Sequence, residues 1–417
     1  MTDTEQSIGT TGATGTDLPE FPMPRRPPFD PPSEYARMRV DGPVTRAMMP
    51  SGEPAWLISG HEHVRRILAD PRVSSDRTQP GFPSIVRITE EQRRRMSGFG
   101  RSLIGTDPPE HTAQRRMLIT EFTVRKVAAL RPRIEQIVNE RIDAMLAEKH
   151  CDRPVDLVKE LALPVPSLVI CELLGVPYAD RDFFQGRTRV LIRRSTPPEE
   201  RETVSEELRE YFDRLITAKT ADPGDDLLSR LIEHNRETEV FSHELLVGLA
   251  TLLLLAGHET TANVIALGTL ALLEHPQQRA ALTDNPDLAP AAAEELLRYL
   301  TIVEAGFRIA TADIEIAGAT IKAGEGIVAL GASANRDATA FGRPDELDIE
   351  RGARHHVAFG YGIHQCLGQN LARMELDVVF RTLFRRIPGL KLAVDVGDLP
   401  FKDDAFIYGV YELPVSW

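Results

Sequence analysis

Hydrophobic and polar positions alternate in short bursts near the start of the chain and settle into helical spacing further on. Val44 to Ser59 reads as two short strands around Pro50, Ser51, Gly52 and Glu53, and His61 to Ala69 as a short helix closed by Asp70 and Pro71. Over Ser74 to Ile104 the periodicity fails. An irregular stretch this long inside a folded chain is a candidate substrate lid. From His111 to Leu273 helical spacing dominates, most clearly over Val124 to Ala147, Val155 to Leu174, Glu199 to Ala221 and Asp225 to His234. The stretch at about 243–275 is apolar on nearly every face, with Ser242 placed to cap it and Pro276 to stop it. At 1.5 Å per residue it makes a rod of about 50 Å. Such a rod is either a membrane span or a central core helix, and His258 and Glu259 in its middle favour the core, because charge is costly in lipid. Short Val, Ile and Thr runs return over Ile309 to Leu330 and in the tail from Leu390 to Trp417, while Gln369 to Arg386 reads as a further helix ending before Pro388. Seven prolines between Pro19 and Pro32 predict an extended meander after a disordered polar tail over residues 1–18. With no internal repeat and no clean linker, residues 19–417 are expected to form one mainly α domain with small β-sheets.

Charge and composition narrow the class of function. The 417 residues carry 62 acidic against 49 basic side chains, a formal charge of -13, and no basic block, which argues against nucleic acid as a partner. Met1 to Asp17 has neither a basic region nor an apolar segment, so no signal peptide or membrane anchor is expected. Three widely spaced cysteines, Cys151, Cys171 and Cys366, argue against a disulfide framework and for a reducing compartment. A cytoplasmic monomer is the expectation.

The densest chemical signal is Phe359-Gly360-Tyr361-Gly362-Ile363-His364-Gln365-Cys366-Leu367-Gly368, just ahead of the helix pattern that starts at Gln369. A cysteine at a helix start meets backbone N–H groups and the positive end of the helix dipole, which stabilise a thiolate able to bind a metal or attack an electrophile. Taken alone, such a residue is equally well a small buried hydrophobe. Other chemistries fare worse: Gly360-x-Gly362 lacks a third glycine at Gln365, so it is no dinucleotide loop, and His258-Glu259 lacks a histidine at Ala262, so it is no zincin helix. His61-Glu62-His63 offers two imidazoles at a helix start, with no third ligand placed by sequence.

The whole loop resembles the heme-binding signature of the cytochrome P-450 family, F-G-x-G-x-H-x-C-x-G, with every fixed position present. The resemblance extends from about Pro32 to Trp417, and through Asp107-Pro108-Pro109-Glu110-His111-Thr112, Glu121-Phe122-Thr123 and His355-His356-Val357-Ala358-Phe359 it is closest to actinomycete hydroxylases. It implies a single large helical domain around a buried heme b, with Cys366 as the iron ligand and dioxygen as co-substrate. A thiolate opposite bound dioxygen donates electron density that favours O–O cleavage. Phe359 and Gly360 would lie against the heme on the cysteine side. Ala256 and Gly257 would lie on the opposite side, with Glu259 and Thr260 as the acid and alcohol that relay protons. The Thr260 hydroxyl is expected to bond a carbonyl one turn back and open a kink in the helix. His111, Arg115, Arg308 and His364 are implied as partners of the propionates. Glu295 and Arg298, at i,i+3 in the family's E-x-x-R, would form a structural cluster with Arg351.

The implied activity is insertion of one oxygen atom from dioxygen, by hydroxylation or epoxidation, into a mostly apolar small molecule such as a polyketide, macrolide, terpenoid or xenobiotic. Electrons would come from a ferredoxin and an NAD(P)H-dependent ferredoxin reductase, docking around Cys366 near Arg115, Arg116 and Arg373. Two rival readings keep Cys366: a peroxide-dependent peroxygenase, and a heme-binding sensor or recruitment protein, which has no need of the acid–alcohol pair. Arginines are frequent in the two segments expected to cover the pocket, so Arg72, Arg87 or Arg193 could hold a polar group of the substrate against an apolar lining of Ile85, Val86, Leu254 and Ala256. The plainer reading is that these arginines face water.

Overall fold

The computed structural model describes residues 18–86, 102–148 and 153–417. Ten short strands punctuate a mainly helical chain: β1 (Val44–Met48), β2 (Pro54–Ile58), β3 (Val73–Ser74), β4 (Val155–Asp156), β5 (Ala305–Ala310), β6 (Ile314–Ile316), β7 (Ala319–Ile321), β8 (Gly326–Leu330), β9 (Lys391–Leu392) and β10 (Pro414–Ser416). The largest sheet has the order β1-β2-β8-β5-β3. Its β1–β2 pair is the hairpin the sequence announces, but β2 then pairs in parallel with β8, with Leu57 opposite Val328, and β8 runs antiparallel to β5, with Ile327 opposite Arg308. Every residue of β8 is buried, as its unbroken Gly-Ile-Val-Ala-Leu run suggests. Two smaller sheets, β4-β10-β9 and β6-β7, complete the β structure.

The helix His61–Ala69 has the predicted bounds. So, within one residue, does the central helix, His243–Glu274, where Ser242 Oγ accepts from Leu245 N. Most of that helix is buried against Pro164–Leu174, Pro198–Ala221, Ala289–Leu300 and Gln369–Arg386, so although it is long and apolar enough to cross a bilayer, it serves as the axis of the fold. One prediction fails. Val155 to Leu174 is not a single helix: β4 comes first, then a wide turn over Val158–Ala162, and the regular helix starts only at Pro164. Proline has no N–H to donate and is at home in a first turn, so it marks a start rather than an interior position. Among the described residues, the helices Glu34–Asp41, Glu110–Ile119, Arg181–Ile192 and Pro276–Asp284 escaped the pattern as separate elements.

The described parts of the expected lid are Ser74 to Val86, irregular after the end of β3, and Ser102 to Ile104, which enters a short helical turn over Leu103–Gly105. Arg87 and Cys151 lie outside the described residues, as does the polar tail up to Asp17.

Candidate active site

The cysteine loop is built to press closely on its neighbours. Gly362 has φ of +75°, and a Cβ there would meet the Leu68 carbonyl oxygen at 2.4 Å, so the loop folds under the helix His61–Ala69 only with glycine at this position. Cys366 N donates to Phe359 O at 2.9 Å, closing the loop on itself. Behind it, Glu294 takes hydrogen bonds from Arg373 Nε and from His356 Nε2 at 3.1 Å, and the Arg373 guanidinium lies 4.6 Å from the Phe359 ring centroid. This bracket fixes the face of Phe359 and was not read from the sequence. It also corrects one expectation, because Arg373 is engaged with Glu294 rather than offered to a partner protein.

The expected depression of the Cys366 thiol is reversed. Burial raises its pKa, and the Gly368 N–H, Arg115 and Arg373 pull the other way without overcoming it. The helix itself begins only at Gln369, so the sulfur meets one N–H rather than a whole helix end. Ligation to a metal displaces the proton outright, so the sulfur suits a metal ligand better than a free nucleophile. The tripeptide His61-Glu62-His63 holds no such promise: His61 is buried, with Nε2 3.1 Å from the His355 carbonyl oxygen.

Beside the loop lies a concentration of positive charge. The rings of His111 and His364 are 4.2 Å apart, Arg115 donates to Gln365 O at 2.7 Å, and Arg308 donates to Phe307 O at 2.7 Å. Burial pushes His364 down to about 3, reinforced by Arg308, His111 and Arg115, and pushes Arg308 down to about 10, reinforced by Arg77. His111 is lowered for the same reasons. His111 Nε2 and His364 Nε2 are buried without a hydrogen-bond partner among the described residues. Guanidiniums that repel one another, packed beside neutral imidazoles with unused nitrogens, are a costly arrangement unless an anion joins them. A cavity of about 80 Å³ opens beside Arg308 and His364, lined also by Val64, Leu68, Val357 and Gly360. A flat, apolar, dicarboxylate group fits this donor set, and heme has that chemistry. Arg77 belongs to this wall, a position hidden in the sequence by the arginine-rich stretch around it.

The middle of the central helix carries the second group of predicted residues. Leu254 is fully buried in the core and so does not line the cavity as expected, whereas Ala256, Gly257 and Thr260 are all more open in the midst of an otherwise buried helix. Gly257 lets the helix Pro164–Leu174 approach, since a Cβ would meet Ile170 Cδ1 at 2.8 Å. Thr260 Oγ1 donates to Ala256 O at 2.8 Å, one turn back, as predicted. The helix runs without interruption from His243 to Glu274 through this bond. His258 is buried with Nδ1 2.8 Å from Leu254 O, which requires Nδ1 to carry the proton. Glu259 is buried and receives a hydrogen bond from Lys402 Nζ, a partner with no signal in the sequence.

Both described arginines of the substrate hypothesis are held within the chain. Arg72 is exposed and forks onto Asp70, with Nε at 2.9 Å and Nη2 at 2.7 Å, while Arg193 Nε donates to Tyr411 Oη at 3.2 Å. Ile85 packs against the apolar cluster of Phe21, Met23 and Tyr35, and Val86 is half-buried beside it. The trio does assemble: Arg298 donates to both Glu295 oxygens at 2.8 and 2.7 Å, and Arg351 Nε reaches Glu295 Oε1 at 3.1 Å.

The family model of cytochrome P-450 matches residues 33–289 and 284–388, nearly the full described fold. This chain belongs to the cytochrome P-450 family. Pentalenic acid synthase of Streptomyces avermitilis is 49% identical over 397 residues, which cover 95% of this chain and 97% of that one. Among solved structures, cytochrome P-450 MoxA from Nonomuraea recticatena is 54% identical, covers 97% of this chain and 99% of its own, and superposes with a TM-score of 0.87. Mycinamicin VIII methyl hydroxylase MycCI from Micromonospora griseorubida, solved bound to mycinamicin VIII, is 44% identical with a TM-score of 0.88, at 96% and 100% coverage. As a cytochrome P-450, the protein is a monooxygenase that uses dioxygen at a heme iron with a thiolate ligand.

Proposed function

We propose that Cys366 supplies the thiolate, that His111, Arg115, Arg308 and His364 hold the heme propionates, and that Glu259 and Thr260 manage protons on the opposite side. The observation that carries this reading is the buried cation cluster beside Cys366, with two imidazole nitrogens left unpartnered. Heme bound here supplies dioxygen binding and oxygen-atom transfer. The chain's own residues do the rest. Gly368 N–H, Arg115 and Arg373 stabilise negative charge on the sulfur. Thr260 Oγ1, donating to Ala256 O, keeps its lone pairs free to accept a hydrogen bond from the cavity side, and it delivers a proton only by turning away from that carbonyl. Apolar side chains around the cavity exclude bulk water, so protons reach it through side chains.

The substrate we infer is a mostly apolar small molecule of the polyketide, macrolide, terpenoid or xenobiotic kind. Support comes from relatives whose names are pentalenic acid synthase and mycinamicin VIII methyl hydroxylase. Electrons come from a ferredoxin and its NAD(P)H-dependent reductase in the cytoplasm, because the chain has no flavin or iron–sulfur motif of its own. Their docking face includes Arg116, which is exposed on the helix Glu110–Ile119. Incubation with isotope-labelled dioxygen, a ferredoxin, its reductase and candidate substrates tests the reading. One labelled oxygen atom per product molecule supports it, and label arriving only from hydrogen peroxide overturns it.

A further inference from the structure

One buried ion pair joins the acid of the central helix to a residue that lies outside every motif in the sequence. Lys402, 7% exposed, donates from Nζ to Glu259 Oε1 and, at 2.8 Å, to Asn263 Oδ1. Glu259 and Asn263 are four residues apart on one face of the central helix. Lysine and glutamate are seldom buried this far unless paired, and each here has the other. Lys402 stands in a hairpin in which Phe401 bridges to Val410 and Lys402 N donates to Gly409 O at 2.9 Å. Gly409 lies so close to the helix that a Cβ would meet Asn263 Oδ1 at 2.1 Å, an approach open only to glycine.

The hairpin is fastened at its other end to the segment between the helices Arg181–Ile192 and Pro198–Ala221. Phe406 N donates to Ile192 O at 2.9 Å, and Arg194 N to Asp404 O at 2.7 Å. The Tyr411 hydroxyl accepts from Arg193 at 3.2 Å and donates to Asp404 Oδ1 at 2.9 Å. Its ring centroid lies 5.4 Å from Lys402 Nζ. A single hairpin thus joins the acid of the central helix to a segment that covers the molecule from outside.

We propose that Lys402 is a positioning residue that holds Glu259 as a carboxylate facing the hairpin, and that the strength of this hold depends on the seating of the 192–195 segment. The titratable groups facing Glu259 are Lys402 from the hairpin, Arg189 from the helix Arg181–Ile192, and His258 from its own helix, whose own pKa burial lowers. Burial raises the carboxyl, and its neighbours, Lys402 first, outweigh it and keep the acid below its ordinary value. In turnover the carboxylate takes up a proton arriving from bulk solvent and returns to the anion by passing it to the Thr260 oxygen, whose own hydroxyl proton goes to the cavity side, while the Lys402 ammonium keeps all its protons and stabilises the anion. This role rests on the proposed proton relay, so it needs a test that does not depend on turnover.

Infrared difference spectra of the resting holoprotein read the charge of Glu259 directly. Lys402→Gln keeps polar length in the hairpin and removes the charge. It is expected to show a protonated-carboxyl band near neutral pH that wild type lacks and that vanishes in Lys402→Gln/Glu259→Gln, whereas Lys402→Arg should stay free of it. In turnover, Lys402→Gln should lower product per NAD(P)H about tenfold, shift the pH profile of that ratio to the alkaline side, and recover in Lys402→Arg. Arg193→Ala/Tyr411→Phe, which loosens the far end alone, should show part of the same band, and it carries the test should Lys402→Gln fail to fold. Absence of the band in both variants would mean that Lys402 only packs the hairpin. A wild-type spectrum in the Arg193/Tyr411 variant alone would refute the dependence on the outer segment. If the bands behave as expected yet wild type makes no product from dioxygen, the proposed function fails and the hold on Glu259 stands.

Discussion

Two cysteines of this chain, one buried and one partly exposed, differ above all in their neighbours. Cys171, in the apolar helix Pro164–Leu174, has its thiol pushed up to about 12 by burial, with Asp180 and Glu172 adding to it, and so is inert packing. Around Cys366 the neighbours are an N–H and two guanidiniums, all favouring the anion. Thr260 gives a sharper test of the opposite side. Thr260→Ala removes a hydroxyl whose bond to Ala256 O the helix does not need, so heme content and substrate affinity should stay within about twofold, while product per NAD(P)H falls about tenfold or more. Parallel measurement of coupling and of substrate-induced heme spectra decides this, and unchanged coupling would leave Thr260 a packing residue. At this scale the sequence was informative wherever function packs residues close together, as in Phe359 to Gly368 and Ala256 to Thr261. It was silent on Lys402, which lies 143 residues from Glu259 and reads as one more exposed charge before Asp403 and Asp404.

Helices and strands were legible in proportion to how local their causes are. The helix His61–Ala69 emerged with its bounds because a proline and an aspartate close it, and the central helix because Ser242 caps it. β4 was missed because its reason for being a strand is β10, paired through Val155 and Val415 from the far end of the chain. The Glu295–Arg298–Arg351 cluster shows what an i,i+3 motif becomes once it is buried. Glu295 and Arg298 are both fully enclosed, and Arg298 also donates to the carbonyls of Asn335 at 2.8 Å and Pro344 at 2.6 Å, tying one helix to two later loops. Arg298→Leu leaves the buried Glu295 carboxylate with Arg351 as its charged partner on one oxygen and strips the other, and should cost about 3 kcal/mol in denaturant titration, against a few tenths for an exposed pair. The Glu294 bracket predicts a pH dependence. Burial would raise this carboxyl, but bonds from His356 and Arg373 outweigh it and hold it at about 2, below its ordinary 4.5. Its contribution to stability is therefore complete above the ordinary value and lost as pH falls toward 2. Glu294→Gln should be less stable than wild type at about pH 6, with the gap narrowing by about pH 3, as read by unfolding curves. A gap that stays constant would show that Glu294 acts by shape alone.

At the scale of the molecule, strands β5 and β8 of the sheet and the cysteine loop line an apolar cavity, with the cations Arg308 and Arg115 beside it, while the central helix forms the axis of the core. None of the cations is unusual alone. Together they make a site that neutral water suits poorly and a dicarboxylate suits well, which the spacing of single arginines along the chain did not reveal. The arginines once assigned to substrate, Arg72 and Arg193, instead serve the protein's own carboxylate and tyrosine, leaving an apolar pocket to recognise its ligand by shape. Everything in this arrangement converges on the sulfur of Cys366, and the most direct measurement is the absorption spectrum of the reduced, heme-loaded protein with carbon monoxide. Wild type should show the red-shifted Soret band of thiolate ligation, and Cys366→His, still binding heme, should lose it. A red-shifted band that survives in Cys366→His would contradict the account.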